Sequence, residues 1–431
     1  MALGLTAAVG AARRRLARLS SQLRADVAKR GFVGAVRHEW EVRSTWPRRT
    51  ERLVDAYTVA QAALSHSAPV GYGDDELEWS RPLVENGRAL ALGVAESYRE
   101  RYSDSGLRIL VCVPPFGAGH VWMNDLVSCL RHTGIAVDSF VGRSPGYHDH
   151  FSAFRPNVYL GFDEASNLRS LHLGFIADFK RRHGLLRLLC TYPQDGYPGP
   201  ALSADDRWRL ALLDKGMTAD AFFSPMVEEH YVDYMPEWSR TGVQCLSLPM
   251  GVNPLTVGPR LAAKDLDWTL VTNNADDGAR AELTERYMSG ILVAHRGVLA
   301  GAGWGTGVDV LPHAEVPALM ARARISPYPL TDRIAQHPSD IGPKTFEIPA
   351  CGCFALITPC AVLDRFFAAD EIAVAATPIE YLQKFEHYLG HAEERYAFIA
   401  RALRRVFAEH TYFERIDRLV RFVQPLVARE E

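Results

Sequence analysis

Short apolar runs alternate with longer amphipathic stretches between residues 108 and 248. This alternation is typical of βα units that build a parallel sheet. The apolar runs predict strands over residues 108–114, 135–141, 157–162, 186–191, 219–224 and 244–248. The amphipathic stretches predict helices over residues 123–132, 167–183, 204–215 and 227–238. This part of the chain is therefore predicted to form a Rossmann-like domain.

Turn-forming residues then interrupt the pattern, with Met-Gly-Val-Asn-Pro at residues 250–254 and Gly-Pro at residues 258–259. They predict a linker between two domains. A second βα series follows, with strands predicted over residues 268–272, 298–301, 325–328, 353–358 and 371–375 and helices over residues 280–295, 314–323 and 344–350. The tail over residues 379–427 is predicted to be helical throughout, with Tyr412, Ile416, Leu419 and Val423 on one face.

The fold class predicted from these patterns is α/β, with two Rossmann-like domains, a cleft between them, an N-terminal helical extension and a C-terminal helical tail. The boundaries follow from the changes in pattern. We place the extension at residues 1–104, the first domain at 105–250, the linker at 251–266, the second domain at 267–410 and a final helix at 411–431.

Composition limits the classes of partner. The chain has 431 residues, 48% of them hydrophobic and 23% charged, which is the composition of a folded protein too long for one core. Its formal net charge of -3 gives no reason to expect nucleic acid as a partner. The seven cysteines are scattered, without zinc-ligand spacing, and are expected to be reduced. No metal site is therefore predicted.

One segment departs from this neutral balance, because eleven arginines lie between Arg13 and Arg52. Leu16, Leu19, Leu23 and Val27 follow helical spacing within it, which predicts an amphipathic helix. Such a helix either lies on an anionic membrane surface or packs on the body with a solvated basic face. In both cases we expect the segment to be dispensable for folding of the two domains. The arginines follow the apolar start, and no apolar run reaches ~20 residues, so we expect a cytoplasmic protein, at most peripheral at the inner face of the membrane.

The segment before the fourth strand of the second series carries the most informative chemistry. Ser339 or Asp340 can cap a helix, Gly342 and a proline lead into its first turn, and Lys344 and Thr345 begin it. Free amides and the lysine charge at this end predict a site for a diphosphate. Glu347, one turn further on, can accept hydrogen bonds from both ribose hydroxyls. The alternative is an ordinary exposed ion pair between positions i and i+3.

The run Lys-Thr-Phe-Glu-Ile-Pro-Ala-Cys-Gly-Cys-Phe-Ala-Leu-Ile-Thr, residues 344–358, resembles the donor-site helix of GT-B glycosyltransferases related to family 4, especially the CgeB-type branch. The resemblance extends over residues 268–423, including Gly-Ala-Gly-Trp at 301–304 and His-Thr-Tyr at 410–412. It implies the GT-B fold, a last helix that crosses back to the first domain, and retention of anomeric configuration. It also aligns Glu347 with the glutamate that contacts ribose, while Ser339 stands where family 4 has the glutamate that contacts the donor sugar.

A glycine-rich loop follows the first predicted strand and contains Gly117, Gly119 and His120. Trp122 occupies the position where a dinucleotide fingerprint needs its third glycine, which argues against a dehydrogenase. The loop instead resembles the first loop of GT-B enzymes, which faces the donor. His120 is a candidate for contact with the donor sugar or for proton transfer, the alternative being a helix cap.

Two further residues complete the candidate site. Asp195 follows a predicted strand and is a catalytic candidate, although Asp-Gly at residues 195–196 is also a common turn. Arg280 is a candidate for a second charge on the diphosphate, the alternative being an exposed helix arginine.

The expected reaction is transfer of a hexose-type sugar from a nucleoside diphosphate donor to a hydroxyl acceptor, without a metal and without a tightly bound cofactor. No Asp-x-Asp motif lies in a suitable loop. A glycan, a lipid-linked saccharide and a small metabolite remain open as acceptors. The alternatives are a sugar-nucleotide epimerase of the same fold and a non-catalytic sugar-nucleotide-binding protein.

Overall fold

The computed structural model describes residues 49–65, 75–115, 117–142, 144–191, 202–274, 279–306, 311–330 and 341–428. Three predictions lie outside these ranges. They concern the Leu16, Leu19, Leu23 and Val27 stripe, the catalytic candidate Asp195, and Ser339 as helix cap and sugar contact.

Two helices precede the first sheet, α1 over residues 49–65 and α2 over Asp75–Tyr98. The side chain of Tyr57 on α1 bonds the backbone of Gly297 and Leu299, and that of Gln61 bonds the backbone of Gly297 at 2.9 Å. Arg49, at the start of α1, pairs with two glutamates of the second domain, Glu282 and Glu285, at 3.3 and 3.0 Å. These contacts attach the described part of the basic segment to the body.

The first domain is a six-stranded parallel sheet in the order β2-β1-β3-β4-β5-β6. Its strands are β1 (Arg108–Val113), β2 (Ala136–Val141), β3 (Val158–Phe162), β4 (Leu186–Cys190), β5 (Ala221–Ser224) and β6 (Cys245–Ser247). Its helices are α3 (Ala118–His132), α4 (Tyr147–Phe154), α5 (Ala165–Leu168), α6 (Leu173–His183), α7 (Ala204–Asp214), α8 (His230–Tyr234) and α9 (Pro236–Arg240). All six predicted strands are confirmed, whereas α4 was not predicted.

The second domain is a five-stranded parallel sheet in the order β11-β10-β9-β7-β8. Its strands are β7 (Leu266–Val271), β8 (Gly297–Ala300), β9 (Ala323–Tyr328), β10 (Phe354–Ile357) and β11 (Ala373–Val374). Its helices are α10 (Ala279–Ala294), α11 (Val316–Arg322) and α12 (Lys344–Ala350), with a 3-10 turn over His313–Glu315. The tail forms α13 (Pro378–Gly390), α14 (Ala392–Glu409) and α15 (Tyr412–Val427), so the prediction of one uninterrupted helical tail is wrong in its detail.

The strand orders locate a ligand crevice in each domain. In both sheets the second strand lies on one side of the first and the third lies on the other, so the order reverses between β1 and β3 and between β7 and β9. Ligands of open parallel sheets bind beyond the carboxyl ends of the strands at such reversals. The loop after β1 contains Gly117, and the loops after β7 and β9 lead to Arg280 and to α12.

One face of the helix α2 packs into the core of the second domain. Its Leu83 and Ala91 belong to the same buried apolar cluster as Trp268 and Phe346. Its Glu76 is also buried and pairs with two arginines of the second domain, at 2.9 Å with Arg324 Nε and more closely with Arg395.

Removing α2 would leave both arginines buried without this carboxylate, which is costly in a low-dielectric interior. We therefore expect residues 75–98 to be needed for folding, whereas the dispensability of the basic segment stays a prediction.

The chain crosses between the domains twice, and the two crossings touch. Val252 in the linker donates from its N–H to the carbonyl of His410 at 2.9 Å, and Tyr412 donates to the carbonyl of Val252 at 2.9 Å. An added Cβ on Gly251 would lie 2.8 Å from the His410 carbonyl oxygen, so only glycine fits there without a shift. The helix α15 then packs on the first domain, where Phe413, Ile416 and Val423 are fully buried.

No helix in the described ranges combines the length and the apolar character needed to cross a bilayer. Each of the seven cysteines carries a free thiol, and five of them are buried.

Candidate functional site

The helix α12 is predicted correctly from Lys344 to Ala350, and it lies inside the second domain. Gly342 precedes it, and the N–H of Thr345 donates to the Gly342 carbonyl at 3.0 Å. Phe346, Ile348 and Ala350 are 0–1% exposed, because α12 packs between the sheet, α14 and the aromatic residues after β10. At its other end Gly352 has a φ of 73°, which permits the turn into β10. The result is a short, largely buried helix that begins at Lys344 and ends at the turn into β10.

Lys344 and Glu347 form an ion pair at this end of α12. Their side chains are 18% and 8% exposed, so most of the pair is removed from solvent. Burial opposes the charge of Lys344, yet the Glu347 carboxylate outweighs it and raises the lysine pKa above its ordinary value. The two residues are three positions apart, as in the exposed ion pair considered as the alternative from the sequence. That alternative requires an exposed pair, whereas this pair is largely buried.

Thr345, between these two residues, is 0% exposed. Its hydroxyl has no hydrogen-bond partner within the described ranges. Buried hydroxyls are normally satisfied, so this one stands out beside the ion pair.

An aspartate of the first domain faces this end of α12 from across the cleft. Asp125 on α3 lies 3.4 Å from Nε2 of His313, which begins the 3-10 turn before α11. The Asn253 amide in the linker donates to the other oxygen of Asp125 at 2.9 Å and fixes the carboxylate. Asp125 raises the pKa of His313 above its ordinary value of 6.5, against burial and with a smaller contribution from Glu347. The pair therefore joins the two domains next to the Lys344–Glu347 pair.

Arg280 lies at the reversal point of the second sheet. It is 7% exposed, donates from Nη1 to the Pro329 carbonyl, and stacks over the Tyr328 ring at 5.1 Å. The exposed helix arginine considered as the alternative is therefore not what the structure shows. The guanidinium is held at the carboxyl end of β9, with part of its donor capacity used by the protein.

The loops after β7 and β8 are locked together by glycines. An added Cβ on Gly301 or Gly303 would lie 2.1 or 2.3 Å from a backbone oxygen of the other loop, and both residues have positive φ. The Asn274 side chain joins the same loops, since it donates to the Gly303 carbonyl at 3.2 Å and accepts from the Ala281 N–H at 3.2 Å. This arrangement fixes the start of α10 and thereby Arg280.

The first-domain candidates lie at the start of α3. Gly117 has a φ of 81° and precedes the helix, and an added Cβ on Gly119 would approach the Pro114 ring to 3.2 Å. His120 Nδ1 donates to the Pro114 carbonyl at 2.7 Å, which leaves Nε2 as the acceptor nitrogen. Within the described ranges no hydrogen bond or ion pair joins His120 to Arg280 or Lys344.

Sequence reasoning missed Asp125 and His313. Each is a single polar residue with no motif around it, and they are brought together by the docking of the two domains. The sequence offered one signal for His313. It lies shortly before a helix that has a proline in its first turn, in the connection that leaves the carboxyl end of β8.

Two cavities in the described ranges lie away from the candidate residues. A groove of about 880 Å³ lies between α2 and α14 and is mainly apolar, and none of the candidate site residues lines it. A smaller cavity of about 390 Å³ lies beside the carboxyl ends of β9 and β10, where Leu330, Thr358 and Cys360 line it. We assign chemistry by the side chains at the cleft, because an apolar groove between helices offers little to a charged ligand.

No group of three or more His, Cys, Asp or Glu side chains in the described ranges is arranged to hold a metal ion.

Comparison with known proteins supports the architecture. Residues 280–421 match the family model described as glycosyl transferase-like, and these residues include Arg280, His313, Lys344 and Glu347. No curated protein matches the chain.

Solved structures of the same architecture were also found. Sucrose-phosphate synthase from Thermosynechococcus elongatus aligns with a TM-score of 0.50 at 13% identity, over 75% of this chain and 100% of that one. Anabaena HepE in complex with UDP and glucose aligns with a TM-score of 0.49 at 9% identity, over 75% of this chain and 100% of that one. The T4 phage β-glucosyltransferase in complex with UDP-glucose aligns with a TM-score of 0.46 at 10% identity, over 73% and 98%.

These matches do not test the CgeB-type resemblance. The alignment with sucrose-phosphate synthase confirms the predicted two-domain α/β architecture: the chain has the GT-B fold, and residues 280–421 match the glycosyl transferase-like family model.

Proposed function

We propose that this protein is a glycosyltransferase that moves a hexose-type sugar from a nucleoside diphosphate donor to a hydroxyl acceptor. The observation that carries the proposal is the largely buried Lys344–Glu347 pair, which lies at the carboxyl edge of the second sheet and within residues 280–421. A buried charge pair at a ligand-binding edge costs desolvation energy that packing alone does not require.

The roles we propose follow from charge and position. Lys344 neutralises the diphosphate together with Arg280, and the glycine loop with Gly117 and Gly119 approaches the donor from the first domain. Glu347 accepts hydrogen bonds from the ribose hydroxyls, and Gly342 and Thr345 present backbone and hydroxyl groups beside it. When the nucleotide binds, Lys344 shifts part of its contact from Glu347 to phosphate oxygens, because a phosphate is the stronger anion partner.

Catalysis would then depend on charge stabilisation of the leaving diphosphate by these cations, without a metal. His120 keeps Nε2 free to contact the sugar or accept a proton, and Asp195 is the second catalytic candidate. We also propose that the transfer retains the anomeric configuration and that the protein is of the CgeB type. The protein would be cytoplasmic, with the basic segment in contact with the anionic inner face of the membrane. The acceptor is a glycan, a lipid-linked saccharide or a metabolite.

A thermal-shift screen with UDP, GDP and TDP and their sugars tests the nucleotide assignment. A ligand at 100 times its Kd stabilises the native state by about 2.7 kcal/mol, which raises the melting temperature by several degrees. Lys344→Ala should weaken binding by about tenfold or more, since a charge-assisted contact contributes ~1.5–3 kcal/mol. Unchanged nucleotide affinity in a folded Lys344→Ala protein would contradict the assignment.

The three alternatives are distinguished by measuring what becomes of the sugar donor. An epimerase releases the free sugar or its isomer when the donor is the only substrate, whereas a transferase needs a hydroxyl acceptor for rapid turnover. A sugar-nucleotide-binding protein without activity shows tight binding and no turnover over a broad panel of acceptors.

A further inference from the structure

The contact between Asp125 and His313 crosses the cleft beside the proposed nucleotide site. Asp125 is 13% exposed in its side chain and is oriented by Asn253, while His313 is 29% exposed. Another cross-domain ion pair in the described ranges, Arg365 with Glu229 at 3.4 Å, is 59% and 58% exposed. The Asp125–His313 pair is therefore the more buried of the two.

The charged groups around His313 nearly cancel when it is protonated. Asp125 faces it from α3, Lys344 and Glu347 act on it from α12, and Glu315 lies two residues away on its own turn. Arg260 of the linker reaches the same turn, where it donates to the Ala314 carbonyl at 3.3 Å. Tyr412 of α15 adds no charge, because burial together with Asp125 and Glu347 raises the pKa of its phenol well above the ordinary value.

Protonated His313 balances the charge of Asp125, as Lys344 balances that of Glu347. Neutral His313 leaves the Asp125 carboxylate without a cationic partner at the inner face of the cleft. The unbalanced carboxylate weakens the attraction of a diphosphate to the cations of the site, and loss of the histidine charge removes the attraction between the two domains.

We propose that His313 is a positioning residue that, in its protonated form, holds the cleft closed against Asp125 and favours the diphosphate of a nucleotide sugar. The proposal rests on the proposed function, since it concerns the same ligand. His313 acts through domain closure and local charge and takes no part in the transfer step.

The pH dependence follows from the direction of the shift. The pKa of His313 is raised above 6.5 in the closed cleft, so the protonated contact is complete below that value and is lost as the pH rises through the raised pKa. Nucleotide-sugar affinity should therefore fall from pH 6 to pH 8. We expect about a fivefold change in Kd, the lower end of coupling between linked sites.

The test is the Kd of the full chain for UDP-glucose and, in parallel, GDP-mannose at pH 6, 7 and 8, because the diphosphate of these donors does not titrate in this range. His313→Gln should bind with a Kd near the wild-type value at pH 8 and with no slope. Asp125→Asn should show a smaller slope than the wild type, because the histidine loses its cross-domain carboxylate and the pKa of His313 falls. Two matched controls should keep the slope: His150→Gln, which removes a histidine paired with Asp138 at 2.7 Å in the first domain, and Arg365→Gln.

An NMR titration of the histidine side chains without nucleotide supplies a readout that does not depend on binding. It should give His313 a pKa above 6.5 that falls in Asp125→Asn. A wild-type slope retained in His313→Gln would overturn the inference and leave the nucleotide site standing. Failure of the wild type to bind these donors or any other UDP, GDP or TDP sugar at any pH would overturn both this inference and the proposed function.

Discussion

Replacing Glu347 by alanine perturbs binding and stability by separate routes. The carboxylate is 8% exposed and neutralises Lys344, which is 18% exposed. Breaking a fully buried pair costs ~3–5 kcal/mol, and Lys344 can still reach water, so we expect a loss of about 2–3 kcal/mol in the free energy of unfolding. For a domain of this size that lowers the melting temperature by roughly 5–10 °C. From the sequence we expect folding barely to change, since Glu347 is assigned to the ribose and the alternative is an exposed pair that contributes a few tenths of a kcal/mol.

Nucleotide affinity should fall for a different reason. Glu347→Ala removes two hydrogen bonds from ribose to a charged acceptor, each ~1.5–3 kcal/mol, so Kd should rise at least tenfold. Glu347→Gln keeps one acceptor oxygen, so both losses should be smaller, and most discrimination against a 2′-deoxy donor should disappear.

A double variant separates the two routes. Lys344→Met with Glu347→Leu replaces the pair by apolar side chains, which is often neutral for stability in buried positions. We expect near wild-type melting and strongly weakened UDP and GDP binding by calorimetry. Glu96→Ala removes an exposed pair of the same spacing, with Arg99 at 2.6 Å, and should change neither quantity. Wild-type nucleotide affinity in the double variant would refute the reasoning.

Three further predictions concern the frame of the cleft. His410 is buried, and burial lowers its pKa to about 4, so the unfolded chain takes up the proton at a higher pH than the folded chain does. The free energy of unfolding should therefore fall by about 2 kcal/mol from pH 7 to pH 5. Melting curves of His410→Gln should lose much of this pH dependence, and an unchanged dependence would contradict the prediction. Gly251→Val should lower the melting temperature, because its Cβ would lie 2.8 Å from the His410 carbonyl oxygen, whereas Gly258→Ala in the same linker, with nothing within 4 Å, should not. A chain that begins at residue 105 lacks Glu76 and should fail to unfold cooperatively, whereas one that begins at residue 49 should melt like the full chain. Equal melting of the two truncated chains would show that α2 is not needed for folding.

The βα alternation was enough to predict both sheets, because buried parallel strands appear as continuous apolar runs. It missed α4, where the sequence Tyr-His-Asp-His-Phe-Ser-Ala-Phe has weak helix propensity. Tyr147 and Phe151 of this helix pack on Phe140 of β2, and this tertiary contact outweighs the propensity. The ends of the tail helices near His391 and His410 could not be predicted from the sequence pattern, since apolar periodicity continues on both sides of them.

The candidate site was only partly accessible from the sequence. Lys344, Glu347 and their helix follow from a local pattern, and the apolar residues on every side of α12 are consistent with its burial. Asp125 and His313 are 188 positions apart, on different domains, and their contact depends on how the domains dock. Burial of Glu76 with Arg324 and Arg395 is likewise a long-range contact that no local spacing indicates.

We propose that a nucleoside diphosphate binds against α12 with its ribose on Glu347. A crystal structure of the full chain soaked with the nucleotide that most raises the melting temperature tests this directly. We expect the ribose hydroxyls within ~2.6–3.2 Å of the Glu347 carboxylate and a phosphate oxygen at similar distance from Lys344 Nζ. A nucleotide bound elsewhere, with the Lys344–Glu347 pair unchanged, would contradict it.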